Sequence, residues 1–245
     1  MHGFTDTWRT WELVLPELER RHDVLAPALA GHAGGPPLDE VSDAAMADAV
    51  EAAMDEAGFR QAHLVGNSMG GYLALLLAAR GRALSVVAFA PSGGWAAGDD
   101  APRETHAFFT EMQGLVRAAA PHADAIMSSA NGRRRATEHI TVRYEHLPAD
   151  LLAHQLVGAA ACGSAAALIE LARREGWHVD VERITCPLRI VWGMDDRILE
   201  WPRAAAGYRD RLPHADWVEL DGVGHCPQLD VPLEAAQLIL GFTDR

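Results

Sequence analysis

Apolar positions along this chain follow two periods, and the switches between them outline its elements. Trp11, Leu15 and Leu18 recur at helical spacing within residues 8–20, with Thr7 placed to cap the start. A short run at 22–27 reads as a strand stopped by Pro27, and Gly31, Gly34, Gly35, Pro36 and Pro37 then make an extended loop. The helical period returns over 42–57, where Met46, Val50, Ala53 and Met54 share a face. Asp43 sits in its first turn, complementing the helix dipole, and Gly58 ends it.

The next unit is the most informative. His63, Leu64 and Val65 make a short apolar strand, 66–71 a glycine-rich turn, 72–79 an alanine- and leucine-rich helix, and 84–88 a second buried strand. Strand, helix and strand at this spacing predict a βαβ crossover and hence parallel neighbours.

From Pro91 the strand pattern stops. Phe108, Met112, Leu115, Val116 and Ala119 form a helical stripe, 151–160 predicts a second helix and 165–173 a third. A helical stretch of this length between parallel strands exceeds what a crossover needs, so 92–184 reads as a cap over the strand ends, inserted between core segments 1–91 and 185–245. The core resumes with strands at 188–192 and 217–220, a helix near 201–211, and an apolar helix at 231–242. The predicted fold class is α/β.

A chain of 245 residues can bury one two-sided α/β core with such an insertion. Its net charge of −13, from 34 acidic against 21 basic side chains, repels polyanions and argues against a nucleic-acid partner. The run Arg133, Arg134, Arg135 is too short to reverse this and reads as the solvated end of a helix. Cys162, Cys186 and Cys226 are odd in number and widely spaced, which suggests neither a disulfide framework nor a zinc site. They point to a reducing compartment. With no apolar run long enough to span a bilayer, the expected location is the cytoplasm, with no membrane partner. No metal or organic cofactor is expected. Oligomeric state is not legible.

Gly66-Asn67-Ser68-Met69-Gly70 has the form G-x-S-x-G at a strand-to-helix turn. Such a turn lifts the serine above the sheet edge, needs small flanking residues, and aims the following helix's free N–H groups at a developing oxyanion. A serine hydroxyl is a weak nucleophile at neutral pH, so a base and an orienting group are required. Two later strand ends offer them: Gly193-Met194-Asp195-Asp196 and Gly222-Val223-Gly224-His225. Parallel strands bring these loops to one edge, in the order serine, acid, histidine. Charge and spacing leave both Asp195 and Asp196 open. His32 lies on a loop able to line the site, whereas His106, His122, His139, His146 and His154 fall in the cap, where surface or packing roles are the default.

These motifs resemble the α/β-hydrolase fold superfamily, in its cap-bearing branch of small esterases and related hydrolases. His2-Gly3-Phe4 resembles the loop before the first helix, Gly66–Gly71 the nucleophile elbow, Trp192-Gly193-Met194-Asp195-Asp196 the acid loop, and Gly224-His225 the base loop. The resemblance implies Asp196, three positions beyond the glycine, as the acid, and an oxyanion hole from the backbone N–H groups of Phe4 and Met69. Trp8 and Trp11 are candidates for an apolar substrate wall, with core packing the default for at least one. Ala28 stands where related segments carry an acidic residue. The family pattern also places an apolar strand directly before the HG loop and two more before that, so the N-terminal strands are expected to be missing from a chain that opens Met1-His2-Gly3.

The expected chemistry is ester hydrolysis of a small molecule through an acyl-enzyme on Ser68, with His225 as base. Two rivals stand beside it: carbon–carbon hydrolysis of a diketone, which Asn67-Ser68-Met69 and a helical cap also resemble, and a binding protein with an inherited triad. Halide displacement is disfavoured because it calls for a carboxylate where Ser68 stands.

Overall fold

The computed structural model describes residues 1–243. Four strands, β1 (Ala62–Asn67), β2 (Ala83–Phe89), β3 (Leu188–Gly193) and β4 (Asp216–Leu220), pair in that spatial order, and every pairing is parallel. Before the sheet come α1 (Leu15–Leu18) and α2 (Asp43–Glu56), and α3 (Met69–Ala79) links β1 to β2. Between β2 and β3 lie α4 (Ala101–Ala119), α5 (Ala123–Met127), α6 (Ala130–Thr137), α7 (Ala149–Ala160) and α8 (Ala165–Glu175). The chain closes with α9 (Ala206–Arg211), α10 (Pro227–Asp230) and α11 (Pro232–Thr243). Among the described residues no single helix is long and apolar enough to cross a membrane.

Continuous apolar runs in β2 and β3 arise because both faces of the sheet are covered. In β2, Val86 and Ala88 face a core built with Leu73, Leu77 and Trp192, while Val87 and Phe89 face Trp11, Val14 and Ile239 on the other side. A third cluster joins α5 and α7 to the end of β4's following loop through Met127, Leu151, Leu152, Cys226 and Leu229. The last of the intervening helices, α8, inserts Leu168 and Leu171 into the first core.

Two local expectations are corrected. Residues 22–27 form no strand. Val24 and Leu25 give the apolar signature, but the segment runs irregularly beside β1, with Leu25 38% exposed and a cavity of about 320 Å³ between it and the strand. The pairing on that edge comes from Met1 instead, whose amino group donates to Val65 O at 2.7 Å and whose carbonyl accepts from Asn67 N at 3.2 Å. Residues 8–20 hold a 3₁₀ turn at Trp8–Trp11 followed by α1 rather than one helix. Pro16, lacking an N–H, falls in the first turn of α1 and marks this break. Thr7 makes no side-chain cap; its backbone N–H donates to Asp6 Oδ1 at 2.7 Å. By contrast Ser42 caps α2 by accepting from Ala45 N at 3.1 Å.

Candidate active site

The turn from β1 to α3 forces Ser68 to φ 56° and ψ −120°, a conformation disfavoured for any residue with a Cβ. It persists because the neighbours are glycines. A Cβ at Gly66 would lie 2.0 Å from Gly70 O, and one at Gly70 would lie 2.4 Å from Met1 O. The Ser68 backbone is further pinned by its N–H to Phe89 O at 2.9 Å and its carbonyl to Tyr72 N at 3.0 Å.

The loop after β3 places Asp196 and Asp195 differently. Asp196 is buried: Oδ1 accepts from Ile198 N and Leu199 N, each at 2.8 Å, and Oδ2 lies 2.8 Å from His225 Nδ1. Asp195 is exposed. A carboxylate bonded to Nδ1 leaves Nε2 as the nitrogen free to exchange a proton. Ser68, His225, Gly3 and Phe4 line a common cavity of about 170 Å³. No hydrogen bond joins Ser68 Oγ to the imidazole among the described residues, a looseness common in unliganded sites.

Asn67 ties the elbow to the histidine loop. Its Nδ2 donates to His225 O at 2.9 Å and Phe89 O at 3.2 Å, while its Oδ1 accepts from Gln228 Nε2 at 3.1 Å. The loop is held from the other side by Asp230, whose carboxylate accepts from Gly224 N at 2.7 Å, Val142 N at 2.8 Å and Arg143 N at 2.7 Å. Burial pushes the Asp230 carboxyl up, against the pull of those three amides. Asn67 falls inside the elbow motif without a role of its own there, and Gln228 and Asp230 belong to no motif. Only their flanking positions beside Ser68 and His225 hinted at them.

The amides of Phe4 and Met69 have no hydrogen-bond partner among the described residues, and Met69 opens α3, where the helix end carries partial positive charge. His2 positions the Phe4 loop. Its Nε2 accepts from Leu29 N at 3.0 Å, and Nδ1 lies 2.9 Å from Gly3 O. Burial, with His32 close by, pushes its pKa down to about 3.

Of the other expected wall residues, Trp11 is core, 6.0 Å from the Phe89 ring, and Trp8 is exposed; neither lines the cavity. His32 is buried against the rings of His2 and Phe4 and also stands outside it. The walls come largely from α4 and α7, through Phe108, Phe109, Met112, Val116, Leu152 and Leu156. His139 joins them, edge-to-face with Phe108 at a ring-centroid distance of 5.0 Å. Polar side chains outside the motifs also line the cavity, among them Asp6, Gln113 and Gln155.

A parallel sheet with a strained serine at the β1–α3 turn and an aspartate–histidine pair on later strand ends is the architecture of an α/β hydrolase. The model of the alpha/beta hydrolase family matches residues 1–238, and the chain belongs to that family. It is 31% identical over 205 residues to epoxide hydrolase EphH of Mycobacterium tuberculosis (strain ATCC 25618 / H37Rv), covering 83% of this chain and 96% of that protein. It is 27% identical over 257 residues to the pimeloyl-[acyl-carrier protein] methyl ester esterase of Aromatoleum aromaticum, covering 98% and 94% respectively. The fold is shared with 2-hydroxy-6-oxo-6-phenylhexa-2,4-dienoate hydrolase from Rhodococcus sp. strain RHA1, at a TM-score of 0.77 and 18% identity over 100% of this chain and 89% of that one. The chain is thus a hydrolase by family.

Proposed function

We propose that this chain is a serine esterase that cleaves a small ester through an acyl-enzyme on Ser68. The observation that carries the reading is the buried Asp196–His225 pair, 2.8 Å apart, whose imidazole lines the same cavity as the strained serine. In this mechanism His225 Nε2 takes the Ser68 proton as Oγ attacks the carbonyl carbon, and the Phe4 and Met69 amides stabilise the oxyanion. Asp196 holds the imidazolium. Collapse of the tetrahedral species expels the alcohol, which receives the proton from His225, and water repeats the cycle to release the acid. Residues 92–184 serve as the cap that excludes bulk water during these steps. Three cysteines free of disulfides support a cytoplasmic setting.

Three other reactions are weaker. Attack of Ser68 on an epoxide carbon, the activity carried in the name of the mycobacterial relative, would leave an alkyl ether with no carbonyl for water to attack, so the enzyme would not turn over. Carbon–carbon hydrolysis of a diketone needs a second carbonyl polarised, with an arginine the usual resource. No lysine or arginine lines the cavity among the described residues. A binding protein with an unused triad would have no need for the conformational strain held at Ser68.

The test is turnover of short-chain aryl esters and labelling by an active-serine phosphonate. Ser68→Ala is expected to lose activity by about 10³-fold or more and all labelling. Full activity in that variant, or a wild-type protein that neither turns over nor labels, overturns the reading.

A further inference from the structure

Away from Ser68 and His225 the cavity is lined mostly by apolar side chains, with Asp6, Gln113 and Gln155 among the polar exceptions on its wall. On it, Asp6 Oδ1 accepts from Thr7 N at 2.7 Å and from Gln155 Nε2 at 2.9 Å, which locks the carboxylate and the glutamine together. Gln155 thereby commits one N–H and fixes which way its amide is turned, and its acceptor stays open: Oε1 is buried with no partner among the described residues. Gln113, one helix away on α4, is also nine-tenths buried, and its Oε1 has no partner either. Two orphan amide oxygens on the wall of a cavity that also holds a fixed carboxylate are unusual, because each buried unpaired acceptor costs roughly 1–3 kcal/mol. A purely hydrocarbon substrate would leave both unpaired. A leucine or methionine at either position would serve it better.

We propose that Asp6, Gln113 and Gln155 form a subsite that reads a hydroxyl group on the substrate, a few bonds from the scissile carbonyl. This deepens the esterase reading and rests on it only for which bond breaks. Asp6 follows Phe4 by two positions on the same loop, so a group held here lies beside the oxyanion position. A hydroxyl is the matching chemistry because it both donates and accepts. It satisfies a glutamine whichever way its terminal amide is turned, and that torsion is soft. A carboxylate is disfavoured by Asp6 and by the lack of any lysine or arginine on the wall among the described residues. An ammonium would have to shed its water among phenylalanine, methionine and leucine side chains.

Two matched ester pairs distinguish the side of the ester that carries the hydroxyl. Phenyl 3-hydroxybutyrate against phenyl pentanoate places it on the acyl chain, and 2-hydroxyethyl butyrate against propyl butyrate places it on the alcohol. In the wild type, kcat/KM is expected to favour the hydroxylated member of one pair by about 100-fold, since a site built around a hydroxyl rejects the analogue lacking it. Gln113→Met and Gln155→Met should each collapse that ratio by about tenfold. Gln113 makes no other hydrogen bond among the described residues, so its variant carries little risk to folding. The same pairs are compared by equilibrium binding to Ser68→Ala, which reads the subsite without acyl transfer. A retained binding preference in a protein whose Ser68 does not label would keep the subsite and remove the esterase reading. Ratios within threefold for both pairs in turnover and in binding would overturn the subsite, as would a stronger preference for the 2-aminoethyl ester; the amide oxygens would then be serving bound water.

Discussion

His2 shows how holding the Phe4 loop commits one side chain to a protonation state. Its Nε2 accepts from Leu29 N, so the neutral form must carry its proton on Nδ1, facing Gly3 O. Adding a second proton would destroy the Leu29 bond and bury a charge beside His32. The folded pKa of about 3 lies below the unfolded value near 6.5, so the unfolded chain binds the proton first. This contribution to stability is complete above pH 6.5 and is lost progressively as pH falls from there toward 3. Each unit of that range carries up to about 1.4 kcal/mol. Between pH 7.5 and 4.5 the wild type should therefore lose roughly 2–3 kcal/mol more than His2→Gln, whose Oε1 can still accept from Leu29 N. Urea unfolding at the two pH values measures the difference; parallel losses in both proteins would show that His2 is not the sensor.

At the scale of elements, the site depends on loops held by acceptors far away in sequence. Asp230 receives N–H groups from Val142, Arg143 and Gly224, and Cys226 N donates to Ile140 O at 2.9 Å, so the His225 loop and the segment between α6 and α7 are fastened as one body. In Asp230→Asn one oxygen becomes an NH₂ group, which cannot accept from a backbone N–H. The expected result is a lower Tm and a fall of about 10- to 100-fold in the rate of phosphonate labelling at Ser68, because a small displacement of the base is costly. An unchanged labelling rate in a protein with a lower Tm would assign Asp230 to stability alone. Such links were not legible beforehand. The βαβ unit was, since its apolar runs end at glycines and its serine turn tolerates little else at Gly66 and Gly70. Helix α5 escaped because its five residues are too few to show a period and α6 because its face is largely polar and exposed, whereas 22–27 imitated a strand through Val24 and Leu25 without a partner edge. Preferring Asp196 to Asp195 rested on family resemblance alone; in the structure Asp196 is buried 2.8 Å from His225 Nδ1 and Asp195 is exposed. The polar patch at Asp6, Gln113 and Gln155 was invisible because its members are brought together only by packing of α4 and α7 over the strand ends.

For the molecule as a whole, the helices over the sheet are unequally attached. Both α5 and α7 share a core with Cys226 and Leu229, and α8 is rooted in the main core through Leu168 and Leu171. By contrast α4, 19 residues long, buries only Ala101 and Gln113 and leaves Leu115 57% exposed. One of its faces borders the cavity and another meets solvent, so opening it sacrifices little packed apolar surface. Segments with few buried contacts open at low free-energy cost, which is what a moving substrate cover requires. The amides of α4 are therefore expected to exchange with solvent deuterium orders of magnitude faster than those of β2 and α3, which sit in the fully buried core. A phosphonate that carries a chain into the cavity should slow exchange in α4 at least tenfold while leaving β2 unaffected, because the chain fills the cavity that Phe108, Phe109 and Met112 border. Were α4 as protected as α3 in the free protein, substrate would have to enter past a different element, and the segment fastened by Asp230 could not be that element without disturbing His225.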